Sequence, residues 1–143
     1  MGGYDMMIQE FTLNTSTWRV LVFYHPSRRE LNLIISTLHE EGCTGDELDD
    51  IVEFIRLGYY NNGCIWSNLD RRCSVIIIGK TTDAAQFNDT YDHEKGHLAM
   101  HICQQDNIDP FSEEYQYLTG EIGRMMFPVA KHFLCDHCRS EVQ

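Results

Sequence analysis

The period of the apolar positions changes several times along this chain, and each change marks an element. From Phe11 the pattern turns strand-like. Thr17-Trp18-Arg19-Val20-Leu21-Val22-Phe23-Tyr24 is rich in β-branched and aromatic residues and stops at His25-Pro26, which predicts a strand. Ser27 and Glu30 then form a capping box, opening a helix with Leu31, Ile34, Ile35 and Leu38 on one face and Gly42 at its end. Thr44 to Glu47 repeats that logic for a second helix, whose stripe is Leu48, Ile51, Val52 and Ile55, with Gly58 beyond it. Asn61-Asn62-Gly63 is turn chemistry. Cys64 to Ser67 reads as a short strand that pairs, through a turn at Asn68 to Arg71, with Ser74 to Gly79. The unbroken Val75-Ile76-Ile77-Ile78 predicts a strand covered on both faces.

Lys80 to Asn88 is polar and reads as a connection, with Asn88 or Asp89 capping a helix that runs to about Gln105. Asp106 to Pro110 breaks the chain, and Ser112 caps a further helix with Glu113 and Glu114 at its positive end. Pro128 predicts a stop or kink near Phe127, followed by a short helix from Val129 to Leu134. Residues 1–10 read as a loose lead-in and residues 139–143 as a polar tail. The expectation is one α/β (α+β) domain: a small mixed sheet with a β-hairpin, packed against four or five helices.

Composition narrows the partners. At 143 residues, 43% apolar and 23% charged, the chain is long enough for one proper core. A net charge of −11 argues against nucleic acid, whose phosphates need a basic footprint, and against an anionic membrane surface. No apolar run approaches the ~20 residues of a membrane span. The first residues show neither a basic-then-apolar leader nor a myristoylation signal, so the expected location is cytoplasmic, with the six cysteines as reduced thiols.

The chemistry concentrates in Tyr91-Asp92-His93-Glu94-Lys95-Gly96-His97-Leu98, which contains the pattern HExxH. On a helix, one turn separates His93 from His97, so both imidazoles project from one face and can share a metal ion. Glu94 sits about 100° further round, close enough to hold a metal-bound water without ligating the metal. Zinc suits neutral imidazole and keeps an open position, where bound water acquires a pKa near about 7. The reaction predicted is metal-assisted hydrolysis of a peptide bond, on a protein or peptide substrate. A catalytic zinc needs a third protein ligand. His101 lies a further turn along the same helix, too far to join the tetrahedron. The helix after it offers Glu113, Glu114 and Glu121; facing favours Glu114, nearest the apolar stripe of Leu118, Ile122, Met125 and Val129.

Val75 to Ile78, Phe87, His93-Glu94-Lys95-Gly96-His97-Leu98 and Glu113 to Gly120 together resemble the gluzincin-type zinc peptidases, among them the minigluzincins and the ImmA/IrrE-type peptidases of bacteria and mobile elements. The resemblance covers roughly residues 74–128; the first 70 or so residues carry no such signature. It implies His93 and His97 as zinc ligands and Glu94 as general base. In ImmA/IrrE-like proteins the ligand Glu precedes an aromatic by one turn, which favours Glu113, ahead of Tyr117, over Glu114. It also implies that the Ser74 to Gly79 strand lies where substrate backbone is laid on a sheet edge.

An oxyanion formed in such a reaction needs a stabiliser besides zinc; Tyr117, Tyr115, His101 and Arg124 are the candidates, with half-buried packing or a solvated charge the plainer account of each. Cys135-x-x-Cys138 could be half of a structural zinc site with His132 or His137 near it, and Cys64 and Cys73 could face each other across the hairpin to complete a four-Cys site. Free thiols are the simpler expectation. Two other functions compete: a non-catalytic, peptidase-like module of phage or mobile-element type that binds a basic protein partner, and a closed structural metal site.

Overall fold

The computed structural model describes residues 6–57 and 62–142. Four strands, β1 (Met7–Thr12), β2 (Arg19–Tyr24), β3 (Gly63–Asn68) and β4 (Cys73–Ile78), form one mixed sheet in the order β1-β2-β4-β3. β1 is antiparallel to β2, β2 parallel to β4, and β3 antiparallel to β4. Five helices cover it: α1 (Leu31–Glu40), α2 (Gly45–Arg56), α3 (Ala84–Asp106), α4 (Glu113–Ala130) and α5 (Asp136–Val142). The fold is α+β, with the expected β3–β4 hairpin on one edge.

The alternation of side chains along each strand divides the core in two. Val20, Val22, Tyr24, Ile76 and Ile78 pack with α3 and α4, while Phe23, Val75 and Ile77 pack with Ile34, Leu38 and Ile55 of α1 and α2. All six residues of β4 are buried, as its unbroken apolar run predicts for an inner strand with a parallel neighbour.

Several boundaries differ from the sequence expectation. β1 occupies part of the supposed lead-in. Its alternation is hidden because Ile8 is 48% exposed while Gln9 turns inward, donating to Met125 O and accepting from Tyr24 Oη. α3 starts at Ala84, one turn earlier than Asn88, because Asp83 caps it by accepting from Gln86 N at 2.9 Å. α4 continues through Pro128 to Ala130; a proline in the last turn removes only one hydrogen bond and bends little that follows. The C-terminal helix is therefore α5 and not Val129 to Leu134. Ser27 and Glu30 do form the capping box, but Thr44 makes no side-chain cap. Gly58 and Asn61 lie outside the described residues.

Candidate metal centre

α3 is 23 residues long and packs against the sheet on one side and α4, its neighbour on that sheet face, on another, so it has three distinct faces. Phe87, Tyr91, Glu94, Leu98 and Ile102 recur at three- and four-residue steps and are all buried, which sets that stripe against the sheet. Asp92, Lys95 and Gly96 border a cleft shared with Thr119 and Ile122 of α4. His93 and His97 are exposed on the remaining face.

The two imidazoles converge. His93 Nε2 and His97 Nε2 lie 3.1 Å apart, with the rings edge-to-face at 4.7 Å between centroids. Two zinc–nitrogen bonds of about 2.0–2.1 Å at a tetrahedral angle place their nitrogens roughly 3.3–3.4 Å apart. The pair therefore fits two positions of one ion without moving the backbone. Without an ion, the same distance suits one ring N–H donating to the other ring's lone pair.

His101 continues the row, 6.3 Å from His97 between ring centroids, and its Nδ1 is 2.6 Å from Ser67 Oγ. Ser67 Oγ lies 2.6 Å from Ser74 Oγ, which accepts from buried Trp18 Nε1 at 2.9 Å. If each hydroxyl donates to the next, His101 Nδ1 is the acceptor and its proton sits on Nε2. Burial lowers the His101 pKa, and His97 lowers it further. This polar chain across the sheet had no local signature, because its members are brought together by the β3–β4 register.

Glu94 points inward. It is 3% exposed, and a Cβ added to Gly63 would meet its Oε2 at 2.9 Å, so the carboxylate lies over the start of β3. With Asn62, Gly63, Asp89, Thr90 and His93 it borders a pocket of about 190 Å³. Among the described residues it has no hydrogen-bond or ion-pair partner. Burial raises its pKa, and nearby His93 partly offsets the rise. Asp89, one turn before His93 on the same row, also borders the pocket; the i, i+4 spacing was the signal that could have found it.

The carboxylates expected to complete the site are elsewhere. Glu113 and Glu114 are exposed in the first turn of α4, and Glu114 borders a different pocket together with Asp106 and Tyr117. Asp106 is nine residues beyond His97 on α3, about 14 Å along the axis. Glu121 is 7% exposed and committed to the β1–β2 connection, accepting from Asn14 N and Thr15 Oγ1, each at 2.6 Å. The reason is the side on which α4 docks. It meets α3 at Gly96, and His97 projects about 100° away from that contact. Tyr115 packs against the core, Arg124 is exposed, and Asp92 pairs with Lys95 at 3.1 Å. Among the described residues no three His, Cys, Asp or Glu side chains are grouped to hold an ion. The histidine pair thus fits half of a catalytic zinc set, and the residues around it do not complete one. Cys64 and Cys73 do not face each other either: Cys64 pairs with Ile77 and Cys73 with Asn68.

Comparison with protein-family models, with curated proteins and with solved structures finds no match. No helix among the described residues is long and apolar enough to cross a membrane.

Proposed function

We propose that this protein is a small metal-dependent hydrolase acting on peptide bonds, centred on His93, Glu94 and His97. The observation that carries the reading is the 3.1 Å approach of the two Nε2 atoms beside Glu94, whose carboxylate borders the small pocket without a protein partner among the described residues. Zinc, when bound, would polarise a carbonyl and lower the pKa of a water. His93 and His97 would hold the ion through Nε2. Glu94 is the group available to take a proton; its raised pKa brings it closer to the pH at which a general base works best. β3 is a sheet edge, and its free backbone groups can align an extended peptide beside α3.

A second reading is favoured by the placement of Glu113, Glu114 and Glu121 away from the histidines: a non-catalytic module with a peptidase-like helix that binds a protein partner. Incubating zinc-loaded protein with a fluorogenic peptide library separates the two. The hydrolase reading expects cleavage reduced at least about 100-fold in Glu94→Gln, the usual scale of a lost acid–base group. Cleavage that is equal in wild type and Glu94→Gln, or absent from zinc-loaded wild type, would leave the binding module.

A further inference from the structure

The first two turns of α4 border a pocket that the histidine row does not use. Its volume is about 310 Å³, and it lies between the β1–β2 connection, the end of α3 and α4. Buried Leu118 and half-buried Ile108 give it an apolar floor. The Tyr117 ring, 69% exposed, forms one wall. Two carboxylates border it and differ in kind. Asp106 is neutralised by a fork from Arg72, with contacts of 2.6 and 2.8 Å, whereas Glu114 has no ion-pair partner among the described residues. Ser16 also borders the pocket. It is 8% exposed, and its hydroxyl, without a hydrogen bond, is closed off from solvent, so the residue walls the pocket and offers it no donor or acceptor from its side chain.

The floor, the tyrosine and Glu114 have the same complement. An apolar floor accepts a methylene stem, the face of a tyrosine attracts a cation, and a free carboxylate attracts an N–H donor of opposite charge. Arg72, the nearby cation, is already spent on Asp106 and the Ser16 carbonyl, so nothing there recruits an anion. We infer that this pocket binds a primary alkylammonium group, supplied by the lysine side chain of a protein partner or by a free amine. Glu114 and Tyr117 then serve this pocket and not the histidine row.

The inference does not rest on the hydrolase reading and is tested without added zinc. Backbone amide resonances are followed while the protein is titrated with acetyl-lysine-methylamide, with n-butylammonium and with the neutral acetyl-norleucine-methylamide. Saturable shifts at Ser16, Glu114, Tyr117 and Leu118 are expected with both cations and not with the neutral probe. Losing the charged partner in Glu114→Gln should weaken binding about tenfold, and Tyr117→Leu should weaken it several-fold. Tighter binding of the lysine amide than of n-butylammonium assigns the site to a protein partner; equal binding assigns it to a free amine. Equal shifts with the neutral probe, unsaturable shifts spread over all acidic residues, or binding unchanged in Glu114→Gln would overturn the inference.

Discussion

Partial desolvation of a carboxylate costs a protein stability, and Glu94, 3% exposed and bordering the small pocket one residue from an imidazole, is held that way. Groups kept at such a cost cluster where a raised pKa is useful. His25 shows the same physics without the chemistry. It is 6% exposed, stands at φ 56°, packs against Phe133 and Phe87, and approaches Thr81 Oγ1 at 3.2 Å. Burial, with the charges of Arg139 and Lys80, lowers its pKa to about 3. The unfolded chain would protonate it near about 6.5. Its neutral form therefore contributes stability that is complete above about pH 6.5 and is lost as pH falls towards about 3. Urea unfolding between pH 6 and 4 should show up to about 1.4 kcal/mol lost per pH unit from this group. His25→Asn, which tolerates the left-handed backbone, should flatten that slope. An unchanged slope would assign the acid sensitivity to the carboxylates. In the sequence, His25 read only as the end of a strand, because its environment is assembled from Thr81, Phe87, Phe133 and Arg139, all distant along the chain.

At the scale of elements, α3 and β3 approach each other closely at Gly63 as well as at the His101–Ser67 contact. A Cβ on Gly63 would come within 2.9 Å of Glu94 Oε2, Thr90 Cγ2 and the Ile77 carbonyl oxygen. The two side chains can swing aside; the carbonyl belongs to β4 and cannot. Gly63→Ala should therefore cost about 1–3 kcal/mol in urea unfolding, the usual scale of overpacking, and should displace Glu94 from its pocket. A fully stable Gly63→Ala protein would mean that β3 does not approach α3 this closely. The hairpin was legible because Asn68 to Arg71 reads as a turn between two strand-like runs and the isoleucine run is unmistakable. The start of α3 was not, because the residues around its Asp83 cap are polar and look like loop. β1 was hidden by an inward glutamine and an outward isoleucine. The histidine pair was legible from spacing alone, since i and i+4 fix a face within one helix. The placement of Glu113 and Glu114 away from that pair was not, because it depends on which side of α3 receives α4, and helix docking is decided by long-range packing.

For the whole molecule, covering both sheet faces leaves the chemistry only the rim. α1 and α2 close one face, and α3 and α4 close the other, with the histidine row turned towards β3 and the Glu114 pocket at the far end of α3. The net charge of −11 suits neither nucleic acid nor an anionic surface and is compatible with a cationic or neutral partner at both places. His93 and His97 are proposed to share a metal ion. Zinc content after equilibrium dialysis tests this in the wild type, His97→Ala, Glu94→Gln and Glu114→Gln. The expected result is about one zinc per chain, lost in His97→Ala and retained in both Glu94→Gln and Glu114→Gln. Zinc that survives His97→Ala, or wild-type protein that binds none, would contradict the account.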